Sequence, residues 1–330
     1  MKAAFISNAK KCIESVYNEE AKKILKENFD FHDEFFNKEE LKENSDFECI
    51  FTTWGFPEFT EEEIDRYFPD LKIVFYAAGS VQYFARPFLN KGIKVVSSWM
   101  ANAVPVAEYA VSQIILANKG FFQSCVMYNS KENNKISKQY ADKFPSNYNT
   151  NVGILGVGAI GAMVAEKLKA FNLNIYVYDP YLSDEKAEKL GVKKESLEFI
   201  FKNCQTISNH IANIPATVGM LDYSLFSLMK DNATFINTGR GAQVKENDLI
   251  RALKEKPERT AVLDVTFPEP VENDSEFHTL KNVFLTPHIA GSSGNECQRL
   301  GEYTTNEALK YLNNKPLSYE VTLKMLETMA

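Results

Sequence analysis

Short apolar runs separated by amphipathic stretches recur along the chain, and this alternation predicts parallel strands joined by helices. In residues 1–100 the runs at 3–6, 49–53, 73–77 and 94–97 read as strands, and 19–28, 38–44 and 61–68 read as helices between them. From residue 151 the alternation resumes, with strands at 152–155, 174–178, 205–208, 233–237, 260–264 and 282–285. That is enough for a doubly wound parallel sheet of six or seven strands. Residues 102–119 predict one long helix, with Pro105 in its first turn and Val106, Ala110, Ile114 and Ala117 on one stripe. It carries the chain out of the first domain. Residues 123–150 turn polar and rich in Asn, Lys and Ser, with no clear strand. A connection that long reads as an arm or a partner contact. Past Gly294 an amphipathic helix bearing Leu300, Tyr303, Ala308, Leu309 and Leu312 is expected to cross back and cover the first domain. The expected fold class is α/β in two domains.

Length agrees, since 330 residues suit two domains. Lys plus Arg number 37 against 44 Asp plus Glu, a net charge of −7 that argues against nucleic acid or an anionic membrane as the main partner. No long apolar span is expected, and the run 3–6 is too short for a signal-peptide core. Five cysteines at 12, 49, 125, 204 and 297 show no C-x-x-C spacing, as expected of reduced thiols in a soluble cytoplasmic protein. With four histidines and no H-E-x-x-H, no metal site is expected.

The most informative stretch is 152–161, where an apolar run meets Gly156, Gly158 and Gly161 and a helical pattern follows. A G-x-G-x-x-G between strand and helix permits a tight turn, lets a diphosphate approach the backbone, and points uncapped helix N–H groups at it. The next strand ends in Asp179, a carboxylate that can accept from ribose hydroxyls and would repel a 2′-phosphate. These features point to a dinucleotide, NAD rather than NADP. A glycine turn of purely structural use, or a methyltransferase loop, would explain fewer of them.

Three later stretches stand at the carboxyl ends of strands, on the side where the glycine loop puts a cofactor. Phe235–Gly241 presents Arg240 between glycines, Val262–Pro270 carries Asp264 and Glu269, and Phe284–Gly291 carries His288. An arginine suits bidentate capture of a carboxylate. A histidine can supply the proton that a reduced carbonyl needs, and a neighbouring glutamate holds the imidazole and favours its charged form. Near the other strand ends, Trp54 and the Ala78-Gly79 loop are candidate substrate contacts.

The stretches LGVGAIG (155–161), YDP (178–180), INTGRG (236–241), LDVTFPEP (263–270) and TPHIAG (286–291), with the AAG loop and VAEYA (106–110), stand together in order. In them the chain resembles the D-isomer-specific 2-hydroxyacid dehydrogenase family. The resemblance implies a Rossmann coenzyme domain over about 101–291 and a smaller, discontinuous, flavodoxin-like parallel α/β substrate domain over about 1–100 plus 292–330. It also implies a homodimer joined through coenzyme domains. By matching motifs, Arg240, Glu269 and His288 become the catalytic set, with Arg240 and His288 also touching substrate. Gly156, Gly158, Ala159, Ile160, Gly161, Asp179, Thr238, Gly239 and Asp264 become cofactor contacts, Asp264 facing the carboxamide. The segment 210–217 adds Ile211, Ala212 and Thr217.

Two departures stand out. Ala212 replaces the family's usual Pro, which would loosen that turn, and Ser80–Phe84 replaces an acidic pattern after Gly79, so no relative's substrate transfers directly. Glu269 separates the chain from the formate dehydrogenase branch, which carries Gln there. The implied activity is NAD-dependent reduction of small 2-keto acids. The alternative is an NAD(H)-sensing, corepressor-like interaction protein on the same fold.

Overall fold

The computed structural model describes residues 1–328. It divides into two compact units, one of residues 1–105 and 292–330 and one of residues 106–291. The first unit carries β1 (Lys2–Ile6), β2 (Asp30–Phe36), β3 (Cys49–Thr52), β4 (Ile73–Tyr76) and β5 (Lys94–Ser97). The second carries β6 (Tyr148–Leu155), β7 (Asn172–Tyr178), β8 (Lys193–Lys194), β9 (Thr206–Asn209), β10 (Thr234–Asn237), β11 (Thr260–Leu263) and β12 (Val283–Leu285). A last short strand, β13 (Glu320–Val321), belongs to the first unit.

Among the described residues the first sheet runs β13-β5-β4-β3-β1-β2. Five of its strands are parallel, but β13 pairs antiparallel with β5, Glu320 opposite Val96, so the sheet is not wholly parallel as expected. Strands β3 and β4 are buried along their whole length, as sheets covered on both faces require. One face packs on Phe56, Phe59, Phe68, Phe84 and Phe88. The other takes the helix Cys297–Leu312 through Cys297, Leu300 and Ala308, the covering role expected of it.

Three local expectations fail here. Strand β2 was not anticipated, because Asp30-Phe-His-Asp-Glu-Phe-Phe36 mixes charge into an edge strand beside β1. The helix Lys10–Val16 was also missed. The stretch 38–44 makes only the turn Lys38–Glu40: Asn37 and Glu40 form a capping box, but Leu41 is extended and turns inward.

The second unit's sheet runs β12-β11-β10-β9-β6-β7-β8, all parallel, a doubly wound order with β6 at the point where the direction of winding reverses. Its register places the functional loops. Leu155 pairs with Tyr178 and Asn209, Asn209 with Asn237, Asn237 with Leu263, and Leu263 with Leu285. Five loops therefore leave one edge of the sheet at the same level, starting at residues 156, 179, 210, 238 and 264, with a sixth at 286.

The long helix is Trp99–Asn118, three residues longer at its start than expected, so Pro105 lies in its second turn. By length and composition it could cross a bilayer, contrary to the expectation of no such span. Ala107, Ala110, Ile114 and Ala117 instead form its fully buried face in the second unit's core. Residues 121–147 hold two short helices, Phe121–Met127 and Asn134–Ala141.

Candidate functional site

The glycine loop joins β6 to the helix Ala159–Leu168. Gly156 has φ +82°, and a Cβ there would stand 2.8 Å from the Ile211 backbone, so only glycine fits. A Cβ on Gly161 would lie 1.9 Å from the Gly156 carbonyl oxygen, which lets the helix approach the strand. Gly158 is the opposite case: nothing lies within 4 Å of a Cβ there, and no side chain caps the helix it begins. An open face over uncapped helix N–H groups, with Ala159 and Ile160 in the first turn, fits a diphosphate.

Asp179 sits at the carboxyl end of β7. One of its oxygens accepts from the Val157 N–H at 2.7 Å and the other from the Tyr181 N–H at 2.8 Å. The carboxylate thus braces the glycine loop, and each oxygen keeps a lone pair for a ribose hydroxyl. Across the loop, Ile211, Ala212 and Thr217 line the segment after β9. The Thr217 hydroxyl lies 2.7 Å from the Ala212 carbonyl and accepts from the Ile214 N–H at 3.1 Å. That closure holds the turn where Ala212 replaces a proline.

Thr238, Gly239 and Arg240 follow β10. The Arg240 guanidinium donates to the Gly239 carbonyl at 2.8 Å. Burial lowers its pKa from the ordinary arginine value, while the charge of Glu269 opposes that shift. The next residue is a glycine because a Cβ on Gly241 would stand 1.9 Å from the Thr266 backbone. The loop bearing Arg240 is therefore pressed against the loop that leads to Glu269.

His288 meets Glu269 directly, Nδ1 to Oε1 at 2.6 Å, both side chains being nearly half exposed. With Nδ1 engaged, Nε2 is the ring nitrogen left for a ligand. His288 has φ +54°, a conformation non-glycine residues avoid at a cost of order 1–3 kcal/mol. Asp264 holds it there. The His288 N–H donates to the Asp264 carbonyl at 3.0 Å, and the buried Asp264 carboxylate accepts from the Ile289 N–H at 2.8 Å, the Ala290 N–H at 2.9 Å and the Thr286 hydroxyl at 2.6 Å. Asp264 is thus occupied in shaping the histidine loop.

His210, which in the sequence only opens the segment 210–217, is buried after β9. Its Nε2 lies 2.9 Å from the Ser208 hydroxyl and its Nδ1 3.3 Å from the Thr238 hydroxyl. Burial pushes its pKa down to about 4.

Trp54, Ala78 and Gly79 lie in the other unit, at the carboxyl ends of β3 and β4. Trp54 is partly buried against both aromatic faces. Ala78 is packed in the core, and the carbonyls of Ala78 and Gly79 lie 2.8 and 2.9 Å from the Ser97 hydroxyl. These residues shape a strand-end loop.

Sequence reasoning missed several supports. Tyr109 reaches Thr286 at 3.1 Å, and Asn209, Asn237 and Gln243 are buried polar residues beside the glycine and arginine loops. Asparagines closing apolar strands were the available signal.

The family model for "D-isomer specific 2-hydroxyacid dehydrogenase, NAD binding domain" matches residues 113–290. D-3-phosphoglycerate dehydrogenase of Methanocaldococcus jannaschii is 34% identical over 222 residues, 67% of this chain and 41% of that protein. The chain spans 41% to 59% of the length of the first three curated relatives it matches. Holo D-mandelate dehydrogenase of Rhodotorula graminis shares the fold, with TM-score 0.80, 20% identity and 97% of each chain covered. The NAD-complexed D-isomer specific 2-hydroxyacid dehydrogenase of Lactobacillus delbrueckii ssp. bulgaricus does too, with TM-score 0.76, 19% identity, and 97% and 100% of the chains covered. The second unit is an NAD-binding domain, and the chain belongs to the D-isomer specific 2-hydroxyacid dehydrogenase family.

Proposed function

We propose that this chain is an NAD-dependent reductase of small 2-keto acids, oxidising D-2-hydroxy acids in reverse. The observation that carries this reading is the 2.6 Å His288–Glu269 pair, in the same unit as a largely buried arginine. Arg240 holds the substrate carboxylate through two parallel N–H bonds and polarises the neighbouring carbonyl, and partial desolvation strengthens that grip. His288, steadied at Nδ1 by Glu269, gives the proton from Nε2 to the carbonyl oxygen as it becomes an alcohol, and takes it back in oxidation. When bound, NADH would supply the hydride to the keto carbon and leave as NAD+, which would take the hydride back in oxidation. Gly158 and the first turn of the helix Ala159–Leu168 would hold its diphosphate, and Asp179 its adenosine ribose.

The first unit is proposed as the substrate domain, with Trp54 and the Gly79 loop as contacts. Phe121, Tyr128, Ile136 and Tyr148 leave large apolar area exposed in one stretch of the second unit, which supports a homodimer formed there. Five free thiols suit a reducing, cytoplasmic setting.

The test is a panel of glyoxylate, pyruvate, hydroxypyruvate and a branched keto acid with NADH, and of D-mandelate and D-3-phosphoglycerate with NAD, followed at the NADH absorbance. Turnover of at least one is expected. NADH binding with no turnover of any would favour the sensing alternative.

A further inference from the structure

The last residues of β9 and β10, Asn209 and Asn237, are paired in register and almost fully buried. Leucine or valine would fill such positions at no polar cost, whereas a buried amide costs free energy unless every group is bonded. Here the bonds are made, and they converge on one turn. The Asn237 Oδ1 accepts from the Gly239 N–H at 3.1 Å, and its Nδ2 donates to the Arg240 carbonyl at 3.1 Å. One amide therefore spans the turn from the Gly239 N–H to the carbonyl of Arg240 itself.

Asn237 is in turn held. The Asn209 Nδ2 donates to the Asn237 Oδ1 at 3.0 Å and to the Gln243 Oε1 at 2.6 Å, which fixes which face of the Asn237 amide meets the turn. The far end of the network grips the segment after β9: the Ile211 N–H donates to the Asn209 Oδ1 at 3.2 Å, and the Gln243 Nε2 to the Ile211 carbonyl at 2.5 Å. Arg240 also bonds the Gly239 carbonyl, so backbone and guanidinium are tied to the same turn.

We propose that Asn237, oriented by Asn209 and Gln243, is the positioning residue for Arg240. It holds the turn so that the guanidinium fork presents both N–H groups to a substrate carboxylate. This rests on the reading of Arg240 as the group that binds that carboxylate. A fork displaced by about 1 Å loses on the order of 10²-fold in rate, while the charge of the site is unchanged.

The test is a double-mutant cycle in the 330-residue chain. Asn237→Leu removes both the acceptor for the Gly239 N–H and the donor to the Arg240 carbonyl at similar volume and adds no charge. Asn237→Ser keeps a small polar group but cannot span the turn, and serves the same cycle if the first variant does not fold. Each is made in the wild-type and the Arg240→Ala backgrounds, and keto-acid KM, kcat/KM and NADH affinity by fluorescence are measured. In wild type kcat/KM should fall roughly 10- to 100-fold with a raised keto-acid KM and NADH affinity within about twofold. In Arg240→Ala the same substitution should cost less than about twofold, because Asn237 acts only through Arg240. Equal losses in both backgrounds would overturn the positioning role and leave the proposed function standing. Wild-type turnover by Arg240→Ala alone would overturn the role of Arg240 first, and the inference with it.

Discussion

His210 gives a sharp prediction about acid stability. The imidazole is buried neutral, with a folded pKa of about 4 against about 6.5 for a free side chain. The unfolded chain therefore takes up the proton first as pH falls, and stability drops between pH 6.5 and about 4. Above 6.5 both states are neutral and the contribution is fully present. The full difference is about 3 kcal/mol at roughly 1.4 kcal/mol per unit, and about 2 kcal/mol of it is already lost at pH 5. His210→Gln keeps a donor and an acceptor near Ser208 and Thr238 but does not titrate. Subtracting its pH dependence from that of wild type removes the carboxylates common to both. Both tryptophans, Trp54 and Trp99, lie in the first unit, so their fluorescence would report the wrong region. Hydrogen exchange of β9 and β10 amides, read by mass spectrometry from pH 7.5 to 5 and corrected for intrinsic rates, measures the second unit's opening energy directly. Wild type should lose about 2 kcal/mol more than His210→Gln across that range. Parallel curves would refute the burial argument.

The glycine loop separates folding from binding. Gly158→Ala meets nothing within 4 Å and should leave the melting temperature nearly unchanged, yet weaken NADH by roughly tenfold by filling the diphosphate approach, whereas Gly161→Ala should lower both stability and binding. Stable, undiminished NADH binding by Gly158→Ala, in a titration, would place the diphosphate elsewhere. Asp179 should favour NADH over NADPH by roughly tenfold or more in kcat/KM, since like charges about 4 Å apart repel by up to roughly 4 kcal/mol near an effective dielectric of 20; equal efficiencies would count against it. His288→Ala should slow turnover roughly 10²- to 10⁴-fold with NADH binding kept, and Glu269→Gln should fall between it and wild type. A Glu269→Gln rate matching wild type would reduce the pair to a surface contact.

Much of the second unit was legible in the chain because its cues are local. Short apolar runs, each followed by Gly156, Asp179, Arg240, Glu269 or His288, name both the strand and the loop that leaves it. A parallel α/β unit buries its strands on both faces, so each reads as a continuous apolar run between amphipathic helices. Where propensity and tertiary context conflict, the cues failed. Strand β2 opens on Asp30 and His32, poor strand formers, and its pairing with β1 makes it a strand. The capping box at Asn37 starts a helix that its surroundings end after one turn. The Asn209–Asn237–Gln243 network and the bracing of His288 by Asp264 were likewise invisible, because they depend on register between strands far apart in sequence. Residue types and their order along the chain determined which chemistry this protein carries. The pairing of β9 with β10, and of β11 with β12, decided which groups hold Arg240 and His288 in place, since a hydrogen bond is set by distance in space and not by separation along the chain.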